Sequence, residues 1–148
     1  MGVIVEFQED IIVDISKARE KFFGCSGKML LPSRQTVQAL LEQIPTHQLA
    51  TTEWIQHNLA AQFRVQVTCP VATRKALQAI AKDSSGNLAF WRVVKKNGEL
   101  MTIYPGGAAV QAVQLTQQGF EIDATAKRPK VINLKTNLVN FTHSSVTS

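Results

Sequence analysis

The sequence predicts a mainly α domain with a small β component, built as a helical core followed by a β-hairpin wing. Two observations carry this prediction. Three helical patterns follow one another between Pro32 and Lys82, each with a start signal and an apolar stripe. An Asn97-Gly98 pair then separates two apolar segments, and that dipeptide suits a two-residue hairpin turn because both residues tolerate positive φ.

Along the chain, Val3 to Ile15 is rich in β-branched residues, which suits either an edge strand or a loosely ordered extension. Ser16 to Phe23 reads as a short helix with Lys17, Arg19 and Lys21 on its polar side and Gly24 as its stop. Gly24-Cys25-Ser26-Gly27-Lys28-Met29 reads as a turn. It fails as a phosphate loop, which needs Gly five residues before the Gly-Lys pair and Ser or Thr after it; Phe22 and Met29 stand there. Pro32-Ser33 opens the next helix with Ser33 as N-cap, Val37, Leu40, Leu41 and Ile44 form its stripe, and Pro45 closes it. Thr51 or Thr52 caps a second helix with Ile55 and Leu59 facing inward. Thr68-Cys69-Pro70 opens a third, whose buried side is Val71, Leu77 and Ile80. The connection between these last two is longer than a tight helix-turn-helix turn.

From Leu88 the pattern changes to an apolar strand ending at Val94, the Lys95-Lys96-Asn97-Gly98 turn, and a return strand from Glu99 to Ile103. Ala108 to Gln118 forms another helix along Val110, Val113 and Leu115, stopped by Gly119. Phe120, Ile122, Val131, Ile132 and Leu134 allow one more hairpin or extended pair. The expected organisation is an acidic extension or edge strand over 1–15, a winged helix-turn-helix-like domain over 16–135, and a flexible Ser- and Thr-rich tail over 136–148.

With 148 residues, 45% of them hydrophobic, the chain has room for one continuous core and no second full domain. No run reaches the ~20 apolar residues of a membrane helix, and no basic region precedes an apolar core at the N-terminus, so a cytoplasmic location without membrane contact is expected. Cys25 and Cys69 lack Cys-x-x-Cys spacing and make no metal signature with His47 or His57, so no metal and no cofactor are expected. Both thiols are expected to pack, and the two histidines to cover helix surface.

The formal charge is +5, and its distribution matters more than its total. Residues 1–15 hold Glu6, Glu9, Asp10 and Asp14 and no basic residue, which leaves sixteen Lys and Arg against seven acids on residues 16–148. A basic body suits a polyanion, because neutralised phosphates release condensed counterions. A solvated basic surface would have the same composition.

Ordered motifs sharpen the choice. Val37 to Ile44 followed by Pro45, then Gln48-Leu-Ala-Thr-Thr, then Thr73-Arg74-Lys75-Ala76-Leu77-Gln78-Ala79-Ile80 come first. Ala89-Phe90-Trp91-Arg92-Val93-Val94 with Gly98, Leu100, Tyr104, Gly106 and Gly107, and finally Ala112 to Phe120, complete the set. In order and spacing, residues 34–122 resemble the C-terminal domain of O6-alkylguanine-DNA alkyltransferases, including the alkyltransferase-like relatives that bind lesions without repairing them.

The resemblance implies a DNA-binding role, with departures at the chemistry. In the family motif Pro-Cys-His-Arg-Val an adjacent histidine, oriented by a glutamate, activates the acceptor thiolate. Phe90, Trp91 and Gln118 stand at those three positions, so no catalytic residue and no alkyl transfer are expected. Cys69, at a helix N-terminus where the dipole favours a thiolate, is the alternative nucleophile. Thr52 replaces a tyrosine that helps turn the target nucleotide. Arg74 matches the arginine that enters the base stack.

The expected DNA-contacting residues are therefore Thr52, Thr73, Arg74, Lys75, Lys82, Lys95 and Lys96. Phe90, Trp91, Arg92, Tyr104, Gly106 and Gly107 are the expected lesion pocket. The expected partners are duplex DNA, alkylated duplex included, and a repair protein, with the chain itself a monomer. The rival expectation is an interaction or regulatory module that keeps the fold without DNA and docks through its acidic N-terminal segment.

Overall fold

The computed structural model describes residues 9–45, 47–83, 89–125 and 127–138. The extension before Glu9, the start of the expected 88–94 strand at Leu88, and the tail from 139 onward lie outside the described residues.

The first strand, β1 (Ile11–Asp14), and the helix α1 (Lys17–Phe23), stopped by Gly24, lead into β2 (Lys28–Leu31). Lys28 and Met29 therefore belong to a strand, where the sequence suggested only a turn. Of the two expectations for the N-terminal segment, edge strand fits Ile11–Asp14, which pairs antiparallel with β2. Two of the segment's acids are anchored: the Asp10 carboxylate accepts from the Ser33 N–H at 2.8 Å and the Thr36 hydroxyl at 2.7 Å, and Asp14 pairs with Lys28. Asp10 thus helps hold the start of α2 (Arg34–Leu41), whose N-cap Ser33 accepts from the Thr36 N–H at 3.2 Å.

The strand β3 (Ala50–Thr51) runs straight into α3 (Thr52–Phe63), and β4 (Val67–Thr68) into α4 (Pro70–Asp83). Thr51, not Thr52, is the cap of α3, accepting from the Trp54 N–H at 3.0 Å. β4 lies parallel to β2, which completes a sheet in the order β1-β2-β4. The expected apolar stripes of α2, α3 and α4 meet as one core: Val37, Leu41, Ile55, Leu59, Leu77 and Ile80 are all but excluded from solvent. Val71 departs from its expected buried place and is 41% exposed. The first turn of α4 turns that position outward while Ala72, the next residue, takes the inside.

After α4 the structure departs from the simple hairpin. Ala89–Arg92 is a turn of 3₁₀ helix, and only Val93–Val94 is extended, as β5. β5 pairs in parallel with β3, Ala50 opposite Val93 and Thr51 opposite Val94, and not with the residues after the turn. The turn itself forms as expected, closed by Gly98 N–H to Lys95 O at 2.8 Å and Lys95 N–H to Glu99 O at 2.9 Å. Gly98 has a φ of 90°, a conformation that favours glycine.

The partner of the return arm comes from further along the chain. α5 (Gly107–Gln117) precedes the antiparallel pair β6 (Ile122–Asp123) and β7 (Lys130–Val131), as the apolar spacing suggested. Leu100 N–H then bonds Pro129 O at 3.0 Å, Val131 N–H bonds Gly98 O at 2.9 Å, and Glu99 bridges Lys130 antiparallel. The wing is thus built from residues 98–100 and 129–131. The chain goes on as α6 (Leu134–Asn137), and Leu138 bridges Leu49, so the first residues of the expected tail are docked.

Candidate nucleic-acid interface

The interface is built where the starts of α3 and α4 meet the turn after β5. A cleft of about 210 Å³ opens there, lined by Thr52, Gln56, Pro70, Thr73, Arg74, Lys95 and Met101. Thr52 stands there because β3 and the Thr51 cap fix the first turn of α3. Arg74 is on the exposed side of α4, and its guanidinium enters no hydrogen bond or ion pair among the described residues. Lys95 is partly exposed and lies 4.0 Å from Glu99, a spacing that leaves it able to exchange that carboxylate for another anion.

The other expected cations are distributed more loosely. Lys75 is half-buried beside Arg74, and Lys82 is exposed in the last turn of α4. Lys96 is 78% exposed and 3.9 Å from Glu53, an exposed pair of little energetic weight. Thr73 is a correction: it is 1% exposed and its hydroxyl donates to Cys69 O at 2.9 Å, so it shapes the cleft wall and has no free group for phosphate. Cys69 is itself buried, with its Sγ accepting a long 3.5 Å contact from the Ala72 N–H.

Phe90, Trp91 and Tyr104 do come together. The Phe90 ring centroid is 4.3 Å from that of Trp91 and 5.1 Å from that of Tyr104, the latter in an edge-on arrangement. Two of the three are nevertheless core residues. Phe90 and Tyr104 are each 2% exposed and belong to the cluster that contains Met101 at the cleft, so only Trp91 offers accessible surface. The expected lesion pocket is therefore filled by its own aromatic side chains in this conformation. Gly106 and Gly107 open α5; a Cβ at Gly106, φ 85°, would come within 2.2 Å of the Val110 side chain. That position needs glycine for both conformation and space.

Three buried polar atoms lack hydrogen-bond partners among the described residues: Arg92 Nε, Tyr104 Oη and Gln118 Oε1. All three fall on segments that the family resemblance assigns to the reactive centre. Buried polar atoms are normally paired, which sets these three apart from the other buried polar side chains described. Burial pushes the Tyr104 phenol well above its ordinary range and lowers the Arg92 guanidinium, whose Nη2 makes a 3.5 Å contact with Ile44 O.

One residue that sequence reasoning missed organises the site. Gln111 of α5 is fully buried, donates to Trp91 O and Val93 O at 2.9 Å each, and accepts from the Met101 N–H at 2.6 Å. It holds the 3₁₀ turn and the cleft residue Met101 in one arrangement. Gln111 lies four residues before Leu115, on the face of α5 that turns inward, and that placement of an amide was the available signal.

The Glu99 carboxyl is held below its ordinary range, first by the Asn97 amide at 2.9 Å and then by the charges of Arg128 and Lys95, against an opposing push from desolvation. Among the described residues no three His, Cys, Asp or Glu side chains gather to hold a metal, and no helix is long and apolar enough to cross a membrane.

Two solved structures share this architecture: an S. pombe alkyltransferase-like protein in complex with DNA, and S. pombe Atl1 in complex with damaged DNA containing O6-carboxymethylguanine. The first has a TM-score of 0.56 at 20% identity, the second 0.55 at 21%, and each match covers 73% of this chain and 94% of the other. The fold is that of an alkyltransferase-like protein. No protein-family model matches the sequence, and no curated protein is similar to it by sequence. At this level of identity the alkyltransferase-like architecture is what the two chains share; function must be argued from the side chains.

Proposed function

We propose that this chain is a non-catalytic DNA-binding protein that senses alkylated or otherwise altered guanine and passes it to repair. The observation that carries the reading is Arg74, an exposed cation with no hydrogen bond or ion pair among the described residues, at a cleft shared with Thr52 and Lys95, in a fold shared with two solved complexes with DNA. Catalysis is absent from the proposal because Phe90 and Trp91, at the positions where the family has its thiol and base, offer neither. The reading includes a monomer in the cytoplasm and a repair-protein partner. The rival docking role for the acidic segment is weakened by Asp10 and Asp14, which are engaged with Ser33, Thr36 and Lys28.

Fluorescence anisotropy with plain and O6-alkylguanine duplexes across a salt series tests this. Binding is expected to weaken with salt, with Kd on the order of 10⁻⁴ to 10⁻⁶ M for contacts to phosphate alone. Arg74→Ala should reduce both affinity and any preference for the modified base. Intact-mass measurement of the same mixtures should show no alkyl mass gained. If the protein ignores DNA even at low salt, the interaction-module reading takes its place.

A further inference from the structure

Beyond α5 the chain carries Lys127-Arg128-Pro129-Lys130, outside the 34–122 stretch that resembles the alkyltransferases. A charged run of this kind is usually a solvated face. Three observations give this one a definite place. Pro129 O and the Val131 N–H are bonded to the return arm of the 95–99 turn, so the run is paired with that turn by backbone hydrogen bonds. Arg128 Nη1 lies 3.6 Å from Glu99, the same carboxylate that faces Lys95 at 4.0 Å. A shallow hollow of about 300 Å³ lies between Glu99, Lys127, Arg128 and Lys130, whose cationic side chains are exposed.

Lys95 links the two features, since it lines the cleft with Arg74 and faces Glu99, which lines the hollow. Arg74, Lys95 and Arg128 are thereby linked, the first two across the cleft and the last two through the Glu99 carboxylate between them. Residues 95–100 and 127–131 together hold five cations, Lys95, Lys96, Lys127, Arg128 and Lys130, around one acid, Glu99.

We infer that the 127–131 segment is a second phosphate-contacting element, which lays Lys127, Arg128 and Lys130 against the duplex backbone beside the stretch engaged by α4. This rests on the DNA-binding reading and deepens it. In the free protein Glu99 acts as an internal stand-in for phosphate, and on binding the backbone takes its place beside Lys95 and Arg128. Contacts of this kind position a duplex without reading bases.

The experiment compares the salt dependence of binding for the full chain and for Lys127→Gln/Arg128→Gln/Lys130→Gln, on plain and O6-alkylguanine duplexes. Three lost phosphate contacts should reduce the slope of log K against log salt by about 2.7, at ~0.9 per contact. Between 50 and 200 mM salt the unaltered protein should then lose about 40-fold more affinity than the variant, by the same relation. The ratio of affinities for modified and plain duplex should stay constant. Glu99→Gln gives an independent readout: with the competing carboxylate removed, binding should tighten at low salt, and the gain should vanish at high salt. An unaltered slope in the triple variant, a changed base preference, or weaker binding by Glu99→Gln would overturn the inference while leaving the DNA reading intact. No binding by the unaltered protein would overturn both.

Discussion

Replacing Gln111 by Leu keeps the volume of the side chain and removes all of its hydrogen bonding. Three backbone groups then lose their partner inside the protein: the carbonyls of Trp91 and Val93 and the Met101 N–H. Each unsatisfied buried group costs about 1–3 kcal/mol, and relaxation around the 3₁₀ turn limits the sum to about 3–5 kcal/mol. With a urea m-value of about 2 kcal/mol/M, the unfolding midpoint should fall by roughly 2 M. Gln111→Glu separates hydrogen bonding from packing. Its carboxylate would still accept from Met101 but would face two carbonyls, so burial and repulsion raise its folded pKa above the unfolded value near 4.3. The variant's stability relative to the unaltered protein should be fully present below that unfolded value and be lost as pH rises through the raised folded value. Urea titrations followed by Trp fluorescence at several pH values measure both effects. A Leu variant within 1 kcal/mol of the unaltered protein, or a Glu variant with no such pH dependence, would refute the role assigned to Gln111.

The single tyrosine allows a clean titration, because the phenolate signal reports Tyr104 alone. With its folded pKa raised by burial, the stabilisation is complete below the unfolded value near 10 and is lost at more alkaline pH, so phenolate should appear together with unfolding. A reversible titration near pH 10 with the circular dichroism unchanged would contradict this. Thr51→Ala removes the hydroxyl that accepts from the Trp54 N–H and should cost about 1 kcal/mol, or roughly 2–4 °C in melting temperature. A variant that melts with the unaltered protein would show that β3 pairing alone fixes the start of α3.

Helices were legible wherever a local signal decided them. Ser33 and Thr51 are caps whose hydroxyls meet backbone N–H groups three residues on, and Pro70 and Gly24 mark ends that need no distant partner. The apolar stripes at Val37, Leu41, Ile55 and Leu77 likewise point inward because a helical period leaves them no alternative face. Strand partners were not legible, since a run such as Val93–Val94 states that it can extend but not beside what. Its β-forming neighbours Phe90 and Trp91 curl into a 3₁₀ turn whose Trp91 carbonyl is bound by Gln111, some twenty residues away, a partner that no local pattern announces. The cleft residues Thr52, Arg74 and Lys95 could be named from the family likeness. The burial of Phe90 and Tyr104 could not, because spacing does not say which side of a short element faces the core. Thr73, by contrast, four residues before Leu77 and seven before Ile80, stands on the buried face that the helical period of α4 sets.

The wing's construction has a consequence for the order in which the molecule is made. Val94 is paired with Thr51, Gly98 with Val131, and Leu49 with Leu138, so each pairing next to the cleft closes a long loop before it gains a hydrogen bond. As the chain leaves the ribosome, α2, α3 and α4 can pack while the Lys95–Glu99 turn still lacks residues 129–131. The surface proposed to meet DNA is therefore completed late, and a nascent chain halted before Pro129 would carry Arg74 on a formed helix beside a turn closed only by its own hydrogen bonds and lacking its 129–131 partner.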